Sequence, residues 1–131
     1  MTAIVLDASA GVEIALQSPI GRQLHAKIPT GATTWVPEHY FVEVTSVLRR
    51  DEINRRHSAA KVQVALDRLL AAPIRRVSIR PLVGEAWLLR HNMTVADALY
   101  VVVAKHLGAD LVTTDLKLAN SPTLPVSTIT P

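Results

Sequence analysis

The sequence predicts a three-layer α/β/α fold, in which helices cover both faces of a central, mainly parallel sheet of about four to five short strands. Two observations support this fold class. Short runs of β-branched and apolar residues alternate along the chain with segments of helical spacing. The length of 131 residues is enough to bury one core and too short for two. We therefore expect a single domain over residues 1–131.

The first half of the chain contains strands that are short β-branched runs and helices with apolar residues at helical spacing. Ser18 and Pro19 break the first helix, and no element is predicted between them and the second strand. In chain order, the elements are a strand at Ala3–Leu6, a helix at Ala8–Leu16, a strand at residues 33–36, a helix at residues 38–50, and a helix that Ser58 caps and Pro73 ends. The apolar stripe of that last helix is Val62, Leu66, Leu69 and Leu70.

The second half continues the alternation. Pro81 stands at the start of a predicted helix, where proline is tolerated, and Gly108 stands where a helix typically ends. The elements are a strand at residues 76–79, a helix at residues 82–90, a helix from Thr94 to Gly108, a strand at residues 109–113, a helical turn at residues 115–119 and a strand at residues 126–129. The core residues of the long helix are Leu99, Val102, Val103 and Leu107.

The composition limits the ligands and partners. There is no cysteine, so a metal ion can be held only by oxygen or imidazole. The pI is about 9.7, and the arginine pairs make a nucleic-acid partner plausible, because a guanidinium group binds phosphate through two hydrogen bonds. Solvated helix faces are the alternative explanation. The pairs are Arg49-Arg50, Arg55-Arg56 and Arg75-Arg76, of which Arg75 and Arg76 are the candidates for nucleic-acid contact.

The chain shows no membrane or export signal. Its longest apolar stretch, residues 98–104, is far shorter than the ~20 residues that a spanning helix needs. The N-terminus has neither the basic region nor the cleavage site of a secretory signal. We therefore expect no membrane contact and a cytoplasmic location.

Acidic residues recur at one kind of position. Asp7 and Asp115 directly follow predicted strands, and Asp97 lies in the first turn of a helix. In a parallel sheet these positions share the edge where ligands bind, so we expect the three to converge. Glu43, in the first turns of the helix after the second strand, points either to this edge or into water. Each aspartate alone could be a helix cap, but converging carboxylates repel one another and favour a cation such as Mg²⁺ or Mn²⁺.

Four stretches of the chain closely resemble the PIN domain, and most of all its VapC-type toxin branch. They match in order and spacing over essentially the whole chain, and their combination is more specific than any one of them. The stretches are Val5-Leu6-Asp7-Ala8-Ser9, residues 37–41 followed by Glu43, Thr94-Val95-Ala96-Asp97-Ala98-Leu99-Tyr100, and residues 113–119.

The resemblance implies an endoribonuclease that uses Mg²⁺ or Mn²⁺ to cleave RNA phosphodiesters through Asp7, Glu43, Asp97 and Asp115. Asp7 and Asp97, at helix starts, are the expected direct metal ligands, and Asp115 is expected to bind the ion directly or through water. Glu43 is expected either to orient the attacking water or to support the ligands from outside the metal's own contacts. Ser9 and Thr113 match small hydroxyl positions that support the site. The toxin branch further implies an RNA substrate, a cognate VapB-type antitoxin and a homodimer.

The chain departs from the family pattern at two positions. Ser46 stands where the family often has asparagine, and Lys117 lies near a region where some members carry a further acid. Neither position is one of the four acids. The second leaves the site with four carboxylates and makes a second metal ion less certain.

The histidines and aromatic residues lie outside this pattern. The histidines show no ligand spacing and are expected at the surface or at helix ends, except His39, which lies one turn before Glu43. The large aromatic side chains are expected in the core, or in a groove for a partner helix. They are Trp35, Trp87, Tyr40 and Phe41.

Other functions remain open at this stage. One keeps the chemistry and makes the chain an RNA-processing PIN nuclease without an antitoxin. Another makes it a noncatalytic α/β binding module or a phosphoacceptor receiver domain. Receivers place two adjacent acids after the first strand, where this chain has only Asp7, and dehalogenase-like phosphatases need a second aspartate where it has Ser9.

Overall fold

The computed structural model describes residues 2–131, and a sheet of five parallel strands lies at its centre. The predicted domain, residues 1–131, also contains Met1, which lies outside the described residues. The strands are β1 (Ala3–Leu6), β2 (Thr33–Pro37), β3 (Ile74–Val77), β4 (Asp110–Val112) and β5 (Thr128–Ile129). Their order across the sheet is β3-β2-β1-β4-β5.

Helices connect these strands. Within residues 2–131, each of them is too short or too polar to cross a membrane. They are α1 (Ala8–Leu16), α2 (Pro19–Lys27), α3 (Tyr40–Ile53), α4 (Ala59–Ala71), α5 (Val83–Trp87), α6 (Val95–Leu107) and α7 (Leu116–Ala119), with a 3₁₀ turn at Arg80–Leu82.

The direction of the connections separates the helices into two layers. β2 and β3 extend the sheet on one side of β1, and β4 and β5 extend it on the other. Right-handed crossovers that run in opposite directions place their helices on opposite faces of the sheet. Accordingly, α1 packs against α2, α3 and α4, whereas α6 lies on β1, β2 and β4 and carries α5. The predicted three-layer α/β/α fold is confirmed.

The core lies between β1, β4 and α6. Every residue of α6 from position 98 to position 104 is buried, which is typical of a helix that is apolar all round and enclosed by the fold. On the sheet, Val5, Val36 and Leu111 are fully buried. This packing fixes the start of α6 beside the ends of β1 and β4, where the acidic residues lie.

Helix α2 is missing from the sequence-based prediction, in which Ser18 and Pro19 only end the first helix. In the structure Ser18 is the N-cap of α2, and its Oγ accepts a hydrogen bond from the Gly21 N–H at 3.0 Å. Pro19 takes the first helical position, where its missing N–H costs nothing. A Cβ on Gly21 would overlap the Glu13 carbonyl oxygen, so glycine lets α2 lie against α1.

Several elements differ from their predicted bounds. α3 is Tyr40–Ile53 where the sequence predicts residues 38–50, and β5 is only Thr128–Ile129 of the predicted 126–129. β3 begins at Ile74, two residues before the predicted start, because Ile74 pairs with Thr34 of β2 directly after the end of α4. The helix predicted at residues 82–90 is reduced to the 3₁₀ turn and α5, with turns over residues 88–92. The N–H groups of residues 88–90 bond to carbonyl oxygens three residues back, as in a 3₁₀ turn, so the α-helix ends at Trp87.

Three predicted core residues are on the surface. Trp87 is 54% exposed, Leu70 is 68% exposed and Leu107, in the last turn of α6, is 37% exposed, so the core prediction is wrong for all three. α5 packs on α6 through Ala86, which turns Trp87 outward beneath the Arg90 guanidinium. Leu70 lies next to Leu69 on α4, and only the side chain of Leu69 faces the core. Tyr40 is buried, and Trp35 and Phe41 are partly buried against the core.

Candidate active site

Asp7 joins the end of β1 to the start of α1. It is the N-cap of α1, and its Oδ1 accepts hydrogen bonds from the Ala10 N–H at 3.0 Å and from the Ser9 hydroxyl at 2.6 Å. Its own N–H donates to the Val112 carbonyl oxygen of β4 at 3.1 Å. The backbone of two adjacent strands and a helix start therefore fix where this carboxylate lies.

Asp115 occupies the equivalent position after β4. It is the N-cap of α7, its Oδ1 accepting from the Leu118 N–H at 3.1 Å, and its own N–H donates to Thr113 Oγ1 at 3.0 Å. The Ser9 hydroxyl oxygen accepts from the Thr114 N–H at 3.1 Å and lies 3.4 Å from Thr113 Oγ1. Two small hydroxyl residues thus connect the loop that carries Asp7 to the loop that carries Asp115.

Asp97 lies in the first turn of α6. Thr94 is the N-cap of this helix, and its hydroxyl oxygen accepts a hydrogen bond from the Asp97 N–H at 3.1 Å. α6 runs back across the sheet toward β4, so its first turn is at the edge where the strands end. The half-buried Asp97 side chain is therefore on the same edge as the two strand-end aspartates.

Glu43 reaches the edge from the first turn of α3. The Tyr100 hydroxyl of α6 donates a hydrogen bond to Glu43 Oε1 at 2.6 Å, and His39 Nε2 lies 3.4 Å from the same oxygen. The sequence left two directions open for this side chain, the edge and the solvent. In the structure it lies against α6 with about a third of its surface exposed.

The four carboxylates influence one another. Burial raises the pKa of Asp7 above its usual value, and the charge of Asp97 adds to this rise, while hydrogen bonds from Ser9 and Ala10 oppose it. Burial also raises the pKa of Asp97, and the charges of Asp115 and Glu43 raise it further. Asp97 is thus the acid that the charges of Asp115 and Glu43 act on, while its own charge acts on Asp7.

Comparisons with known proteins identify the family. Residues 4–122 match the model of the PIN domain. The chain is 38% identical over 118 residues to Ribonuclease VapC12 from Mycobacterium tuberculosis, an alignment that covers 90% of this chain and 91% of the relative. The chain belongs to the PIN domain family, in its VapC branch. It is also 34% identical over 119 residues to Ribonuclease VapC3 from the same organism, covering 90% of this chain and 86% of the relative.

Solved structures agree with this PIN domain in fold. The crystal structure of VapBC2 from Rickettsia felis bound to a DNA fragment from its promoter superposes with a TM-score of 0.67 at 14% identity, covering 98% of each chain. The crystal structure of PAE2754 from Pyrobaculum aerophilum gives a TM-score of 0.68 at 20% identity, covering 96% of this chain and 83% of that one.

The acidic edge of this PIN domain suits a divalent cation by donor type. Its donors are carboxylate oxygens, which Mg²⁺ and Mn²⁺ prefer, and mutual repulsion between them favours a bound positive charge. Within residues 2–131, however, no three histidine or acidic side chains are arranged as a closed ligand set. Mg²⁺ commonly keeps several waters and uses one or two carboxylates, so an open arrangement is compatible with a hydrated ion.

The two arginines predicted to contact a nucleic acid lie on the edge strand β3. The Arg75 guanidinium is stacked 5.3 Å from the centre of the Trp35 ring. Arg76 forms an exposed ion pair with Glu38, with 3.6 Å between nitrogen and oxygen. Within residues 2–131, Arg75 therefore has no carboxylate partner, while Glu38 partly balances the charge of Arg76.

Proposed function

We propose that this chain is an endoribonuclease that uses Mg²⁺ or Mn²⁺ to cleave RNA phosphodiester bonds, and that it is the toxin of a toxin–antitoxin pair. The observation that carries the chemistry is the position of Asp97, which lies within electrostatic reach of Asp7, Glu43 and Asp115. The names of the VapC relatives support RNA as the substrate.

Each acid has a role that follows from its position. Asp7 and Asp97 are the direct metal ligands, because both are held at helix starts and the pKa of each is raised above its usual value. Asp115 is the third metal ligand. When bound, the ion lowers the pKa of a coordinated water and balances charge on the scissile phosphate. Glu43 orients the attacking water, because Tyr100 of α6 holds one of its oxygens while about a third of its side chain is open to solvent. Ser9 and Thr113 keep the loops of Asp7 and Asp115 in place.

The proposed partner is a VapB-type antitoxin, and the similarity in fold to VapBC2 from Rickettsia felis supports this proposal. The surface that suits such a partner is a groove of about 970 Å³ between α1, α2 and the end of α4. Its lining is largely apolar and contains Arg22, His25 and Arg68 but no carboxylate. A segment with apolar and acidic side chains matches this lining. A homodimer and a cytoplasmic location stay predictions.

The nuclease proposal is tested with purified protein and a structured RNA. We expect cleavage with Mg²⁺ or Mn²⁺ and none with EDTA, and we expect Asp97→Asn to abolish it. Asp110→Asn is the matched control, because Asp110 is at the opposite end of β4 and, within residues 2–131, shares no hydrogen bond or ion pair with the four acids. Cleavage in EDTA, or full activity of Asp97→Asn, would contradict the proposal.

The toxin role is tested separately from the chemistry. We expect expression of the chain to arrest growth, and co-expression of a small protein encoded by the adjacent gene to restore it. A protein that cleaves RNA in vitro but neither arrests growth nor binds the product of a neighbouring gene would instead be an RNA-processing nuclease.

A further inference from the structure

A hydrogen bond between two helices fixes one oxygen of Glu43. The Tyr100 hydroxyl, on α6, donates to Glu43 Oε1 at 2.6 Å across 57 residues of sequence. Tyr100 is buried, with 1% of its surface exposed, so its ring cannot move away without disrupting the core. The acceptor oxygen is therefore held by a donor whose own position is rigid.

His39 is the second residue close to Glu43 Oε1. Its Nε2 donates to the Ala96 carbonyl oxygen at 3.0 Å and lies 3.4 Å from Glu43 Oε1. Its ring rests on the ring of Tyr100, with 4.8 Å between the centroids. Its Nδ1 is buried without a hydrogen-bond partner in residues 2–131, so Nε2 is the ring atom that makes the polar contacts.

The two carboxylate oxygens of Glu43 differ in their contacts. Oε1 is occupied by Tyr100 and approached by His39, whereas Oε2 has no hydrogen-bond partner within residues 2–131. The fixed oxygen is tied to α6 near Asp97, since Ala96 precedes Asp97 and Tyr100 lies one turn after it. The free oxygen is the one available to a water molecule at the acidic edge.

We propose that Tyr100, supported by His39, is a positioning residue that fixes Glu43 Oε1 and thereby leaves Oε2 to bind the attacking water. This inference rests on the proposed nuclease function. The hydrogen bond to a carboxylate is charge-assisted and directional, so it sets the rotation of the carboxylate as well as its position. Residues that orient a catalytic side chain in this way act on the rate of the chemical step more than on substrate binding.

The first test is a kinetic double-mutant cycle on Tyr100→Phe and Glu43→Gln. Tyr100→Phe retains the buried ring and removes only the donor. We expect it to lower kcat by up to about tenfold, no more than the loss of Glu43 itself, and to change KM by less than about twofold. In the Glu43→Gln background the same substitution should lower kcat by less than about twofold, because the carboxylate that Tyr100 orients is already missing.

Tyr40→Phe is the matched control, since Tyr40 is the other buried tyrosine and, within residues 2–131, its hydroxyl shares no hydrogen bond with any of the four acids, although the charge of Asp7 reaches it. We expect its kcat to equal that of the wild type. His39→Phe, which keeps an aromatic ring on Tyr100 and removes Nε2, is expected to reduce kcat less than Tyr100→Phe does. An equal loss of kcat from Tyr100→Phe in both backgrounds would show a merely structural role and overturn the inference.

A second readout does not depend on activity. In urea unfolding of the metal-free protein, Tyr100→Phe is expected to lower the midpoint in the wild type and to lower it less in Glu43→Gln. Identical shifts would mean that the hydrogen bond does not exist in solution, and the inference fails. If the wild type does not cleave RNA, the proposed function fails instead, and this unfolding cycle alone then decides whether Tyr100 holds Glu43.

Discussion

The two sides of the acidic edge are built in different ways. On one side, Asp7 and Asp115 are helix caps whose oxygens accept backbone N–H groups within three residues, and Ser9 and Thr113 join their loops. On the other side, Glu43 is held by a tyrosine 57 residues away. Backbone caps place a carboxylate as soon as the strand and helix form. A contact between side chains places it only after α3 and α6 have packed.

This contrast leads to the largest expected effect. Asp7→Asn should lower RNA cleavage by at least about a hundredfold, because asparagine keeps the cap but loses the charge that a metal ion needs. Glu43→Gln should cost less, about tenfold, because it leaves the three aspartates that would hold the metal ion in place and removes only the group that orients the water. Both rates can be measured at saturating Mg²⁺. A larger loss from Glu43→Gln would reverse the assignment of roles.

The next largest effects concern the free energy of unfolding, which substitutions on the two sides of the acidic edge should lower by different amounts. Ser9→Ala removes the donor to Asp7 and leaves the Thr114 N–H without its acceptor, so we expect a loss of about 1–3 kcal/mol in the free energy of unfolding. Tyr100→Phe should cost about 0.5–1.5 kcal/mol, because water can reach the partly exposed Glu43. Urea unfolding of the metal-free variants compares them, and a greater loss for Tyr100→Phe would contradict this ranking.

The dependence of stability on pH follows from the raised pKa values of Asp7 and Asp97. An acid whose pKa is higher in the folded state than in the unfolded state stabilises the fold below its unfolded pKa, and this contribution is lost as pH rises through the folded pKa. The metal-free protein should therefore lose stability from mildly acidic to neutral pH, and Mg²⁺ should restore it. Thermal unfolding with and without Mg²⁺ checks this. Asp97→Asn should lose less stability over the same pH range.

The smallest expected effect concerns RNA binding at the edge strand. Arg75→Ala should reduce the slope of log K against log salt by about 1 if Arg75 contacts a phosphate. Arg76→Ala should change it less, because Glu38 already balances that charge. Filter binding at several salt concentrations with Asp97→Asn protein, which should not cleave the RNA, measures both slopes. Equal slopes for both variants and the parent would contradict a phosphate contact and would indicate that both arginines only face solvent.

The sequence predicts the acids that backbone caps place, and it does not predict the direction of the acid that a contact between two helices places. The positions of Asp7, Asp97 and Asp115 follow from strand ends and helix starts, which are local signals. Helix α2 was missed although its signals are local, because Ser18 and Pro19 end one helix and begin another. The direction of Glu43 depends on Tyr100 and His39, and no local pattern indicates contacts between α3 and α6. The exposure of Trp87 likewise depends on how α5 rests on α6.

The central claim is that these carboxylates share one divalent cation around Asp97. Mn²⁺ binding, measured by electron paramagnetic resonance on the wild type, Asp97→Asn and Asp110→Asn, tests it most directly. We predict that the wild type and Asp110→Asn bind Mn²⁺ alike and that Asp97→Asn loses the site. Unchanged Mn²⁺ binding in Asp97→Asn, or no binding in the wild type, would contradict the claim.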